Sequence, residues 1–312
     1  MNRHVALLLT GMVLVLVAAC GDDENSADAI GSRPIKVVAT TGMIGDTVAN
    51  VGGERVDVES LMGPGVDPHL YQASASDVNR LDDADIIFYN GLELEGRMTD
   101  IFVRLASSRP TVAVAGDVDP TLLREPPEFE GKYDPHVWFD VTLWVHVTRT
   151  IERELSELDP GSADLYKENA DAYVAQLEEL DAWVASEIQR IPEQTRVLVT
   201  AHDAFGYFGA RYGMEVEGLQ GISTASEAGA ADVQDLARMI ADRGIVAIFV
   251  ETSVPQATIE AVQAAVRAHG GEVEIGGELY SDAMGSEGTP GGTYIGMIRH
   301  NVETIVTALA GP

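Results

Sequence analysis

The stretches Val66-Asp-Pro-His-Leu-Tyr71 and Tyr133-Asp-Pro-His-Val-Trp138 place a histidine behind Asp-Pro twice, in a chain with seven histidines among 312 residues. Proline holds its own φ at roughly −65° and pushes the residue before it into an extended conformation. Each imidazole is therefore presented on a stiffened loop. Asp67 and Asp134 are placed to accept a hydrogen bond and orient the ring, the role of carboxylates behind metal-bound histidines. A third histidine, His202, stands in Val199-Thr-Ala-His-Asp203. Neutral imidazoles joined by a carboxylate suit a borderline divalent ion, Zn²⁺ above all; a bidentate carboxylate would make the site five-coordinate, which Mn²⁺ accepts more readily. Thiolate ligation and a cysteine nucleophile are excluded from the folded part, because Cys20 is the only cysteine.

The elements that would position these groups alternate between short β-rich runs and helical runs. In the first half, strands fit residues 35–41, 56–62, 84–90 and 111–115. Helices fit 43–51, 98–106 and a run opening near 76, with Ser76 or Asp77 as its cap. A further helical run covers 141–158. In the second half, strands fit 196–200, 214–219, 245–250 and 272–279, with helices over 205–212, 231–243, 255–269 and 293–309. Continuous apolar strands alternating with helices predict parallel sheets covered on both faces. The expected fold class is therefore α/β: two lobes, each with a mostly parallel β-sheet flanked by helices, joined by one long backbone α-helix.

That helix is read from residues 164–191, which contain no internal Gly or Pro. Tyr166, Tyr173, Leu177, Leu180, Val184, Ile188 and Ile191 form one apolar stripe at helical period. The expected boundaries are a first lobe over 35–160, the linking helix over 161–192 and a second lobe over 193–312. A single stiff helix between lobes permits less opening than a pair of flexible strands.

The topology sorts the histidines. In parallel α/β sheets, ligands bind at the carboxyl ends of strands. His69 follows the second strand, His136 follows the fourth after a long loop, and His202 ends the first strand of the second half. All three can therefore meet in the cleft between the lobes. His146 lies in a helical run, His269 precedes Gly270-Gly271 at a helix C-terminus, and His300 lies in the last helix; these three read as structural. His4 falls in the leader. Spacing leaves the fourth ligand open among Asp282, Glu251, Glu227 and Asp203, all near strand ends.

The chain opens with a short basic start, an uncharged apolar run from Val5 to Ala19, and then Cys20-Gly21. This is the pattern of a secretory signal over residues 1–19, with the lipobox-like cysteine as the acylation point. The run is shorter than the roughly 20 residues a spanning helix needs. Residues 20–34 are polar and acidic and read as a lipidated flexible tether. The net charge of −30, from 50 acidic and 20 basic residues, offers no footprint for nucleic acid. An acidic surface also repels anionic headgroups, so membrane attachment would rest on the Cys20 lipid.

The segments Gly63-Pro-Gly-Val-Asp-Pro-His-Leu-Tyr71, Tyr133-Asp-Pro-His-Val-Trp-Phe-Asp140, Ala201-His-Asp-Ala-Phe-Gly-Tyr-Phe208, Gly221-Ile-Ser-Thr224 and Leu279-Tyr-Ser-Asp-Ala-Met284 resemble the cluster A-I metal-binding proteins of ABC importers, most closely the TroA-type zinc/manganese members. The resemblance covers the chain from about Pro34 onward. It implies metal ligands at His69, His136, His202 and Asp282. It also implies a monomeric extracytoplasmic receptor, lipid-anchored to the cell membrane. Such a receptor carries Zn²⁺ or Mn²⁺ to membrane permease subunits served by a cytoplasmic ATPase. Two departures leave the metal open. Manganese- and iron-preferring members often carry Glu where His202 stands. Dedicated zinc members often carry a His-rich loop before the second histidine, whereas residues 116–132 hold Asp117, Asp119, Glu125, Glu128 and Glu130 and no histidine.

Two other function classes compete. A zinc metalloenzyme would keep an open coordination position, and neither H-E-x-x-H, G-x-S-x-G nor a Gly-rich phosphate loop is present. A surface metal-binding adhesin without a transport role is the second. With ordinary histidine basicity, metal affinity is expected to fall below about pH 6.5.

Overall fold

The computed structural model describes residue 31, residues 33–129 and residues 131–310; the expected signal and Cys20 lie outside the described residues, as does nearly all of the tether. In the first lobe β1 (Ile35–Ala39), β2 (Val56–Ser60), β3 (Ile86–Tyr89) and β4 (Thr111–Ala113) form one sheet in the order β2-β1-β3-β4. Every pairing is parallel, with Ile35 opposite Val56 and Val37 opposite Ile86. Helices α1 (Gly42–Gly52), α2 (Ala75–Asp83) and α3 (Thr99–Leu105) make the crossovers. The cap of α2 differs from expectation. Ser74 caps it and Asp77, three residues in, reaches back to the Ser74 N–H, a capping box in which both orphan ends are satisfied.

After α4 (Val141–Leu158) and α5 (Ala163–Ile188), the second lobe carries β5 (Val197–His202), α6 (Gly206–Tyr212), β6 (Glu215–Gln220), α7 (Ala230–Arg243), β7 (Ala247–Glu251), α8 (Ala257–Ala268), β8 (Glu274–Leu279) and α9 (Tyr294–Leu309). β5 pairs with β6 and β7 with β8, both parallel, and β5 runs beside β7. The second sheet is thus built as two pairs set side by side.

Alternation along the strands sorts their side chains onto two faces. Ile35, Val37, Ala39, Ile86 and Phe88 join one apolar cluster with Leu198, Ala247 and Phe249 of the other lobe. Val38 and Ile87 face outward under α2 and α3, while Val199, Ala201, Ile248 and Val250 face outward under α7 and α8. The inner cluster runs unbroken from one lobe to the other.

The 26-residue helix α5 carries that continuity. Its length corresponds to about 39 Å. Tyr166, Tyr173, Leu177, Leu180, Val184 and Ile188 are all buried on its inner stripe. It packs against α1 and α4 of the first lobe and against α6 and α9 of the second. The helix stops three residues short of the sequence-predicted end. A helical conformation is disfavoured immediately before Pro192, yet Ile191 stays buried beyond the last turn.

A polar joint reinforces the packing. Tyr294, the first residue of α9, donates its N–H to Asp46 of α1 at 3.0 Å and its hydroxyl to the Trp138 carbonyl at 2.8 Å. Its ring stacks on Trp144 at 5.1 Å, and the Trp144 indole donates to Thr47 at 3.0 Å. These contacts weld the start of the last helix to the first lobe.

Candidate metal centre

His69, His136, His202 and Asp282 converge. One ligand atom from each lies within 4.8 Å of the others, and all four side chains are buried. Each arrives from the carboxyl end of a strand. His69 follows β2 on a loop whose Gly65 takes φ 72°, a left-handed conformation suited to glycine. His136 follows the long connection after β4, His202 is the last residue of β5, and Asp282 comes three residues after β8.

The purpose of the Asp-Pro prefix is visible in the hydrogen bonds. Asp134 Oδ1 accepts both the His136 backbone N–H at 3.0 Å and the ring Nδ1–H at 2.7 Å. The ring is held with its Nε2 toward the centre. Asp67 departs from expectation: its Oδ1 accepts the His69 backbone N–H at 2.8 Å, and no contact to the imidazole forms. It shapes the loop rather than the ring.

His202 is held by a residue that the sequence offered only as a ligand. Glu251, the last residue of β7, accepts the His202 backbone N–H at 2.9 Å. Its other oxygen lies 2.6 Å from His202 Nδ1 in an off-axis ion-pair contact. Of the remaining candidates for the fourth ligand, Asp203 is half-buried outside the cluster and Glu227 is exposed. His146 is exposed on α4, His269 meets Gln234 at 3.0 Å, and His300 meets the Glu278 carbonyl at 3.0 Å, so none of the three joins the cluster.

Supports that the sequence did not reveal stand behind these loops. The Trp138 indole donates to the Ser281 carbonyl at 3.0 Å, beside Asp282. Asn301 of α9 brackets Tyr280, accepting its N–H at 2.9 Å and donating to its carbonyl at 2.7 Å. Buried Glu95 accepts from Thr40 at 2.6 Å and from the Asn90 N–H at 2.7 Å, and the Asn90 amide donates to the Pro135 carbonyl at 3.0 Å. The Gly and Pro punctuation around the loops was readable, but these long-range partners follow no local spacing.

The inner distances carry chemical information. His69 Nε2 and His136 Nε2 are 3.3 Å apart. Asp282 Oδ1 is 3.4 Å from His136 Nε2, and Oδ2 is 3.3 Å from His202 Nε2 and 3.8 Å from His69 Nε2. Four ligands at about 2.0–2.1 Å from a tetrahedral Zn²⁺ stand about 3.3–3.4 Å from one another. Three of the four separations fall at that edge length and the His69–Asp282 one is longer, at 3.8 Å, an arrangement one ion could draw together; the two carboxylate oxygens leave a five-coordinate shell available. His202 Nε2 and both Asp282 oxygens are buried without any hydrogen-bond partner. Such atoms are costly to desolvate unless a cation meets them.

The family model for the periplasmic zinc-uptake complex component A (ZnuA) matches residues 37–308. The chain belongs to this family. The zinc-binding protein TroA of Treponema pallidum (strain Nichols) is 50% identical over 304 residues, covering 97% of each chain. The solved structure of that periplasmic zinc binding protein superposes with a TM-score of 0.87 at 51% identity, covering 89% of this chain and 100% of its own. The manganese-binding lipoprotein MntA of Bacillus subtilis (strain 168) is 46% identical over 303 residues, with 97% of this chain and 98% of MntA covered. The manganese ABC transporter substrate-binding lipoprotein PsaA of Streptococcus pneumoniae serotype 4 is 28% identical over 316 residues, with 99% and 100% covered.

As in any ZnuA-family site of this make-up, proton affinity and cation affinity compete for the same lone pairs. Burial opposes charge on every ring, and at His69 it prevails, lowering the imidazole to about 3. At His136 burial is outweighed by the hydrogen bond to Asp134 and by the nearby carboxylates of Asp134 and Asp282, and the ring rises to about 9. His202 is raised well above its ordinary value, because Glu251 and Asp282 together overcome its burial. Asp282, despite burial, is held well below the usual carboxylate range by His202 and His136.

These shifts move the expected pH dependence upward. Both raised rings, His136 and His202, favour a proton in the free site, and a cation competes with it. Protonation of the free site therefore weakens binding as pH falls through about 9, not only below the ordinary histidine value. Calorimetric Zn²⁺ affinity should climb from about pH 6 to about pH 9, with proton release seen in buffers of different ionisation heat. A plateau above about pH 7 would contradict it. Glu251→Gln keeps the shape behind His202 but removes its charge, and should weaken binding about 10- to 100-fold in a chelator competition.

Proposed function

We propose that this chain is the extracytoplasmic substrate-binding component of a metal ABC importer, taking Zn²⁺ or Mn²⁺ as cargo between its lobes on His69, His136, His202 and Asp282. The observation that carries the reading is the convergence of four buried ligand atoms, contributed by both lobes, within 4.8 Å. Membership of the ZnuA family supports it, as do relatives described as zinc- and manganese-binding. The protein is a binding component and not an enzyme. Its partners are the permease and ATPase of the importer, which the PsaA description, an ABC transporter substrate-binding lipoprotein, supports.

The ligand set explains capture. Loop contacts from the first lobe and strand ends from the second close on the ion together, so cargo and closure are coupled. With Asp282 present, the open position that catalytic zinc needs is taken, which disfavours a metalloenzyme. We place the working units at 35–160, 161–192 and 193–312, with a signal over 1–19 and a tether over 20–34. A lipid on Cys20 holds the monomer at the outer face of the membrane, an arrangement that the lipoprotein descriptions of MntA and PsaA support. Because the lobes share a core, release follows from the permease deforming a loop or one lobe rather than from a free swing.

The experiment is elemental analysis of the purified mature protein followed by Zn²⁺/Mn²⁺ competition. One equivalent of metal is expected, and His136→Ala should lose tight binding while its circular-dichroism melt stays cooperative. Loss of folding in that variant would make the histidine structural and sink the reading. Cells lacking the protein should import less metal; unchanged uptake would favour the adhesin role. Cys20→Ser should shift the protein from the membrane to the soluble extracytoplasmic fraction, and retention at the membrane would overturn the lipid anchor.

A further inference from the structure

Each Asp-Pro-His aspartate has two carboxylate oxygens, and in both motifs one is taken up by the histidine. Asp67 Oδ1 accepts the His69 N–H, and Asp134 Oδ1 accepts from the His136 backbone and ring. The second oxygens face elsewhere. Asp67 Oδ2 accepts the Thr224 hydroxyl at 2.6 Å. Thr224 ends the Gly221-Ile-Ser-Thr224 segment, in the loop after β6 of the opposite lobe. Asp134 Oδ2 lies 3.7 Å from Arg124 Nε, and Arg124 donates to the Gly206 carbonyl, again in the opposite lobe.

We propose that Thr224 is a positioning residue that latches the His69 loop to the second lobe and sets the rate at which the bound cation escapes. Three observations carry this beyond a single contact. His69 is the most exposed of the four, at 5% against 0% for His136 and His202 and 2% for Asp282. What little solvent access the four have is greatest at His69. Gly65, in the same loop, lies so near the second lobe that a Cβ there would stand 3.3 Å from the Thr252 carbonyl. Thr224 is itself buried, and a short hydroxyl–carboxylate bond in such a setting is a strong one. Thr224 contributes no ligand atom to the site. It acts through Asp67, whose other oxygen fixes the backbone of the ligand residue, so a pull on the latch moves His69 directly. At His136, Arg124 and Asp134 repeat the pattern with a longer contact.

The inference rests on the proposed cation site, and its test separates the two. Zn²⁺ is loaded onto the wild-type protein, Thr224→Val and Thr224→Ser, and release into excess chelator is followed by stopped flow, with association measured independently. Thr224→Val, which keeps the shape and removes the hydroxyl, should raise the release rate about 10-fold, the equivalent of about 1.4 kcal/mol. Its association rate should stay within about two-fold, since affinity changes in one site fall mostly on dissociation. Thr224→Ser should return release to the wild-type rate, which a purely packing role would not do. Thr224→Ala serves if the valine variant melts early, with the same acceleration expected. Release from Thr224→Val or Thr224→Ala at the wild-type rate, or serine behaving like valine, overturns the latch. A wild-type protein that takes up no Zn²⁺ or Mn²⁺ overturns the cation site instead.

Discussion

Asp282 is a carboxylate surrounded by three imidazoles and almost no water, and neither of its oxygens has a hydrogen-bond donor. A group of that kind is tolerable only when positive charge stands beside it. In the free protein that requirement favours protons on His136 and His202, whose rings are raised; a cation meets the same need. Much else in the molecule follows from this requirement. Asp134 and Glu251 sit behind two of the rings and share out the positive charge, while His69 is left without such a partner and stays neutral. The asymmetry gives the site two rings that exchange proton for metal and one that is always ready.

Holding four groups at the edge lengths of one coordination shell demands a frame that does not drift. The sheets deliver the ligands at strand ends, where backbone direction is fixed by pairing. The shared apolar cluster keeps the two sets of ends in register across the cleft. The long helix adds a rod that packs on both sides, and Tyr294 adds a polar weld between α9 and α1. The loops that bear His69 and His136 lack strand pairing, and in each an Asx turn made by the aspartate two residues earlier takes its place.

Much of this was legible in the residues. The alternation of apolar strands with helices, the stripe on residues 164–191 and the Asp-Pro-His repeats led to the two-lobed α/β frame and to the three histidines. Those signals are local: period, proline stiffening and turn composition act within a few residues. The fourth ligand was not separable from Glu251, Glu227 and Asp203 by spacing, and only the resemblance favoured Asp282. Glu251 illustrates the reason. A carboxylate at a strand end serves equally as a ligand or as support for one, and the distinction depends on whether β5 and β7 lie side by side. The sequence assigns Asp67 and Asp134 one role, but the same dipeptide serves ring and backbone in one loop and the backbone alone in the other. The α2 cap was misplaced because Ser74, Ser76 and Asp77 all satisfy the capping pattern, and only the backbone conformation selects among them.

The unbroken apolar cluster has an effect on the molecule as a whole. A hinge between separate cores would let each lobe unfold alone, but Leu177 and its neighbours belong to both lobes at once. The shared cluster couples the two lobes in unfolding, and whatever stabilises the cleft is felt along the rod that crosses it. Occupancy by a single ion then acts as a clasp across both lobes, and the empty form is the one most open to digestion.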